Sequence, residues 1–308
     1  MLKSICIKTN NKDFINYLLN ELEIHEFEKY NLEKNNLEKF NDLKFDDLKN
    51  IFISKLKFSK YTNIIIHYKG KNVKKFLYFV SDIISSGIIK YYEQKILKHL
   101  LICNYFYFTE IEQSKILDIC KNNLDELCVQ DFSARKKIIS NSIIQYFSTN
   151  NKHLILTGFI NFRLCEYFKI LDTVLEASVN KFVVDREYLE FINLLKTYVS
   201  SKNSGLNLVH LIYTKQESIL LDEFKDIINL DNNILDAKFI SDISFSSNDY
   251  TLNSLLTILP KKIYIHLVNS YEDEFINTLK LIFDNRIYIC KDCDICRLYS
   301  LNANPMRT

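Results

Sequence analysis

From Phe159 to Ser204 no glycine or proline interrupts the chain. Apolar residues fall three or four apart there: Leu164, Phe168, Leu171, Leu175, Val179 and Phe182, then Tyr188, Phe191, Leu195 and Tyr198. A period of 3.6 residues puts such positions on one face of an α-helix, so this stretch must bury a long apolar stripe against other elements. The spacing predicts one bent helix or two abutting ones, with Asp185 in "VVDRE" as N-cap of the second. Breakers are scarce everywhere, with four glycines and two prolines in 308 residues, so boundaries have to be read from periodicity.

Before this run, "SICIKT" alternates like a strand and "KDFINYLLNELE" has helical spacing at Phe14, Tyr17, Leu18 and Leu22. The segment 31–50 spaces its leucines by five and six, which suits a solvated connection with short elements. "NIIIHYKG" reads as a strand ending near Gly70, and Leu77, Val80, Ile84 and Ile88 as a helical stripe. Three helical stretches follow, at 91–108, 110–127 and 134–147. After Gly205 the texture changes. "NLVHLIYT" and "SILLDEF" read as a hairpin, "DYTLNSLLTILP" as a helix, "KKIYIHLV" as a strand, "EDEFINTLKLIFDN" as a helix and "RIYIC" as a strand. A helix between two short β-branched runs is the pattern of a parallel βαβ unit.

The expected class is therefore α+β or mixed α/β, in three parts: a strand-containing region 1–95, a helical middle 96–205 and a βαβ-rich region 206–308. The balance of 40 basic and 38 acidic residues gives no global attraction to nucleic acid or acidic membranes. The longest candidate membrane stretch, "FLYFVSDIISSGIIK", is broken by Asp82, so no spanning helix is expected. With no secretory pattern at the N-terminus the expected location is cytoplasmic. Cys6, Cys103, Cys120, Cys128 and Cys165, scattered in apolar patterns, read as small buried hydrophobes.

One stretch looks like chemistry. "YICKDCDICRL" sets Cys290, Cys293 and Cys296 at CxxCxxC spacing. In a βαβ unit the carboxyl ends of the two strands lie side by side, which brings His266, at the end of "IYIH", toward Cys290. A Cys₃His set is a legitimate structural zinc site, since thiolate and imidazole are ligands zinc prefers. Asp292 and Asp294 would flank it and raise the thiol pKa values. An iron–sulfur run would need a fourth cysteine where Ser300 stands. The bland alternative is three reduced thiols with no ligand. His67 and His210, each in a strand-like run, read as structural histidines.

Lys69, Lys71, Lys74 and Lys75 form one basic cluster, Arg135, Lys136 and Lys137 another. Either could meet phosphates, with "NYFYF" (104–108) stacking on bases, against the simpler reading of solvated helix faces. Arg163 with Glu166, and Arg186 with Glu190, have the spacing of helical ion pairs. No glycine-rich phosphate loop, GxSxG elbow or HExxH motif is present.

"GFINFRLCEY" (158–167), "VVDREYLEFINLLKTYV" (183–199), "LNLVHLIYT" (206–214) and "LLTILPKKIYIHL" (255–267) together resemble the YtxC-like family. Gly158, Phe162 and Arg163 match one of its blocks; Asp185, Glu187 and Tyr188 match another. The resemblance spans roughly 155–297. It implies an intracellular protein of endospore-forming bacteria connected with spore formation, and no catalytic residue or cofactor. The expected function is a non-catalytic accessory protein with a protein partner. The runner-up is a nucleic-acid-binding protein, and a metal or thiol site at Cys290, Cys293 and Cys296 is a third reading.

Overall fold

The runs "SICIKT" and "NIIIH" become the two central strands of a four-stranded sheet. β1 (Lys3–Thr9) pairs antiparallel with β3 (Thr62–Tyr68), β3 antiparallel with β2 (Ile51–Lys57), and β1 parallel with the short β4 (His153–Ile155). The computed structural model describes residues 3–32, 51–126, 132–149, 151–214, 218–228, 246–268, 272–290 and 292–302. The chain divides into two units, Met1–Val183 and Val184–Thr308.

In the first unit, α1 (Lys12–Leu32) and α2 (Val73–Asn104) supply the layer over one face of this sheet. Burial alternates strictly along β3, as the two-residue period of a strand requires. Ile5, Ile7, Ile64, Ile66 and Tyr68 join Phe14 and Leu18 of α1 and Leu77, Ile84 and Ile88 of α2 in the core. At Gly87 the helices come so close that a Cβ would sit 2.6 Å from Phe14, so only glycine allows this approach. α2 also packs against α3 (Glu110–Glu126) and α4 (Phe132–Ser148). The opposite sheet face leaves Phe52 and Leu56 exposed, with Lys8, Asn63, Ile65 and His67 half-buried.

Several boundaries differ from expectation. The stretch 91–104 continues α2 rather than starting a new helix. β2 has no counterpart in the sequence reading, because this edge strand exposes Ser54, Lys55, Leu56 and Lys57 in a row and lacks apolar alternation. α5 (Leu156–Arg163) and α6 (Cys165–Ser201) abut at Leu164, whereas Asp185 lies exposed inside α6. An exposed aspartate leaves the backbone hydrogen-bond ladder of a helix intact, so it need not end one. The 31–50 connection begins as the end of α1; its remaining residues, 33–50, lie outside the described residues.

The second unit follows the sequence reading closely. β5 (Leu208–Tyr213) and β6 (Ser218–Leu221) form the antiparallel hairpin. β7 (Lys262–Leu267) runs parallel to β5, and β8 (Ile287–Ile289) parallel to β7, giving the order β6-β5-β7-β8. α7 (Ser247–Ile258) precedes β7 and α8 (Glu274–Phe283) bridges β7 to β8, the anticipated βαβ unit. Ser246 and Asp249 close a capping box on α7, and Asp273 caps α8 by accepting from the Ile276 amide at 3.0 Å. Val209, Leu211, Tyr213, Ile263 and Ile265 pack with Leu255, Ile276, Leu279, Ile282 and Phe283. The other sheet face carries a smaller apolar cluster of Ile212, Leu221, Val268 and Ile295. Ile295 comes from α9 (Asp294–Asn302), a helix the periodicity did not reveal. Two mixed sheets with helices make the class α+β. Among the described residues no helix is long and apolar enough to cross a membrane.

Candidate metal centre

Strand parity builds the site. In the β7–β8 register Ile263, Tyr264 and Ile265 face Ile287, Tyr288 and Ile289. One rung further, the Cys290 amide donates to the Ile265 carbonyl at 2.9 Å, which brings Cys290 to the end of β7 beside His266. Ile263 and Ile265 enter the main core, so Tyr264 and His266, one position out of phase, belong to the opposite face. Tyr264 and Tyr288 stack there at 5.3 Å. Cys293 and Cys296 come from the start of α9, whose Ile295 anchors it among Ile212, Leu221 and Val268.

All four expected ligands, His266, Cys290, Cys293 and Cys296, converge, with one ligand atom of each within 4.8 Å of the others. Cys293 Sγ lies 3.8 Å from Cys296 Sγ, and Cys296 Sγ lies 3.8 Å from Cys290 Sγ. His266 Nδ1 is 3.3 Å from Cys296 Sγ and 3.4 Å from Cys293 Sγ. A tetrahedral ion with bonds of about 2.3 Å to sulfur and about 2.05 Å to nitrogen holds sulfurs about 3.8 Å apart and sulfur from nitrogen about 3.5 Å. The donor set therefore fits zinc in chemistry, and these four of its six separations fit it in size. The sulfurs are also well beyond the bond length of a disulfide, about 2.05 Å.

The remaining ring nitrogen of His266 is committed. His266 Nε2 lies 3.0 Å from Nδ1 of His210 on the neighbouring strand β5. If Nδ1 of His266 ligates, the proton must sit on Nε2 and be donated to His210, which fixes both tautomers. Burial, then the neighbouring His210, pushes the His266 pKa down to about 4, keeping the ring neutral as a metal ligand must be. His210 is lowered by burial and then by the Lys225 ammonium.

The thiols repel one another's charge. Cys290 is pushed up to about 12 by burial first, then by its two thiol neighbours, and Cys296 is raised for similar reasons. Burial also opposes ionisation of Cys293, but the Cys296 and Ile295 amides and the other two thiols outweigh it, leaving its pKa lowered. Cys293 is therefore the thiol that ionises most readily, and its neighbours resist following it; a divalent cation is what lets three thiolates coexist. Asp292 is turned outward to Arg297 at 3.0 Å, which lowers its pKa. It is thus neutralised and not the bare anion that the sequence implied.

Other expected sites fare differently. Arg135 of the second basic cluster is buried, 3.2 Å from Glu93, and donates to the Leu124 carbonyl; Lys136 pairs with Asp82 at 2.7 Å. Tyr167 donates to the same Glu93 oxygen at 2.5 Å. Lys69 lies over the Phe52 ring at 4.5 Å. His67 Nδ1 is 2.9 Å from the Ser4 hydroxyl. Arg186 and Glu190 do pair, at 3.8 Å, whereas Glu166 pairs with Lys169 rather than Arg163. Of the scattered cysteines Cys120 is buried, Cys6 half-buried, and Cys103 and Cys165 exposed on outward helix positions; Cys128 lies outside the described residues. His210, a structural histidine by its sequence context alone, stands two residues from Ile212, the β5 partner of His266, and so shares the face of His266.

A profile of the YtxC-like family matches residues 78–288. The chain belongs to the YtxC-like family. It is also similar to the protein called "Uncharacterized protein YtxC" of Bacillus subtilis (strain 168), with 22% identity over 214 residues, covering 68% of this chain and 75% of that protein. No solved structure matches. The YtxC-like match takes in His210 and His266 but ends two residues before Cys290, and it begins after β3. Membership therefore covers the two histidines and leaves the thiols to geometry.

Proposed function

We propose that this YtxC-like chain is a non-catalytic accessory protein of sporulating cells, acting in the cytosol on a protein partner, and that a structural zinc ion at Cys290, Cys293, Cys296 and His266 pins its C-terminal helix to the second sheet. The observation that carries the zinc reading is that four of the six ligand separations, 3.8, 3.8, 3.4 and 3.3 Å, match a tetrahedral ion, with all six within 4.8 Å. Four protein ligands close the coordination shell. Catalytic zinc keeps an open position for water or substrate, so a closed set supports a structural role. Exposed Phe191, Leu194 and Tyr198, three and four apart on one face of α6, support a protein partner, since apolar clusters on a surface mark interaction sites. The sporulation link rests on the family resemblance.

Elemental analysis of protein purified without chelator tests the zinc. The expected result is about one zinc per chain, released by a mercurial thiol reagent, with Cys296→Ser retaining a small fraction of it. Trace zinc with no other metal would leave three reduced thiols, and stoichiometric iron would replace a structural clip by a redox centre.

A further inference from the structure

We infer that the groove between the first turn of α1 and the β2–β3 hairpin binds a segment of single-stranded nucleic acid. This groove, of about 290 Å³, lies in the first unit and is independent of the zinc reading. Four lysines, Lys12, Lys55, Lys57 and Lys60, line it, and none of its lining residues is a carboxylate. Among the described residues none of these four ammonium groups has an ion-pair partner; the exposed Asp13 of the first α1 turn is not part of the lining. A chain of near-zero net charge has thus gathered, among the described residues, four lysines without a carboxylate in one concavity, the electrostatic footprint of a polyanion.

The aromatic groups select the kind of polyanion. Phe58 and Tyr61 form the tip of the hairpin, stacked at 4.8 Å and 28°, and the Phe58 ring is 46% exposed. Lys8 Nζ lies over the Tyr61 ring at 3.7 Å, which fixes the stack and adds one more charge beside it. Lysines around an exposed aromatic platform are the arrangement that holds phosphates while a base stacks. A duplex would offer its bases no unstacked face to Phe58, so the strand must be single.

The test uses the full chain and fluorescein-labelled dT12 and rU12, followed by anisotropy from low to moderate salt. Contacts to three or four phosphates give a slope of log K against log salt of about −2 to −3. Charge reversal at Lys55, Lys57 and Lys60 should weaken binding at least tenfold and flatten that slope, with the melting temperature unchanged because the side chains are exposed. Phe58→Ala should weaken binding roughly 5- to 100-fold while leaving the slope intact, the signature of lost stacking. Comparing the two oligomers assigns DNA or RNA. Three results would overturn the inference: no salt-dependent binding at low salt, binding untouched by the triple reversal, or equal competition by a mononucleotide, which would make the groove a nucleotide pocket.

Discussion

Replacing Arg135 by Met probes whether the first unit depends on an ion pair held between three helices. Glu93 comes from α2, Arg135 from α4 and Tyr167 from α6, and the Arg135 and Glu93 side chains are only 4% and 8% exposed. Met keeps the aliphatic reach of Arg but removes the guanidinium. Glu93 then keeps the Tyr167 hydroxyl as a donor but loses its countercharge, and the Leu124 carbonyl loses the Arg135 donor. Breaking a buried pair from one side costs about 3–5 kcal/mol, because the surviving charge stays buried. For a unit of this size that lowers the melting temperature by about 6–20 °C. Urea unfolding followed by far-ultraviolet circular dichroism and tyrosine emission gives the free energy by linear extrapolation. The double variant Glu93→Leu with Arg135→Met removes both charges and should recover much of the loss. A single variant within about 1 kcal/mol of the parent would refute the reasoning, since that is the worth of an exposed pair.

His210→Ala removes the acceptor that orients His266, so zinc affinity measured by competition with a chromogenic chelator should fall about 10- to 100-fold while stoichiometry at saturating zinc stays at one; unchanged affinity would reduce His210 to packing. Tyr17 is pushed up to about 12, by burial first and then by Glu21, and Tyr167 is raised far above its ordinary value by burial and then by Glu93. The unfolded state therefore loses these phenol protons first, and stability present below pH 10 should decline as pH rises toward 12. Absorbance at 295 nm should show a late group of phenols that ionises only together with loss of helical circular dichroism, and Tyr17→Phe should remove part of it.

What could be read in advance was whatever depends on near neighbours in sequence. The stripe Leu164–Phe182 predicts its helix because a periodic apolar face is a local property. "KKIYIHLV" and "RIYIC" predict parallel strands because the helix between them forces a crossover, and that crossover brought His266 to Cys290. β2 escaped because its exposed run Ser54–Lys57 breaks the apolar alternation, and α9 because Ile295 is its one fully buried anchor among the described residues, with Tyr299 only partly buried beside it. The basic cluster at Arg135 could not be told from a solvated face, since its partner Glu93 lies on another helix 42 positions away (135 − 93).

The sequence by itself determined the types of the described elements from β5 to β8, the two ends of their βαβ crossover and a full set of zinc-type ligands. Only the tertiary structure decided that α9 folds back to bring three sulfurs and one imidazole within 4.8 Å of one another, that His210 stands behind that imidazole, and that Arg135 is buried. Periodicity reports which face of an element is buried; the group it is buried against is chosen by packing between segments far apart in the chain, which no local pattern encodes.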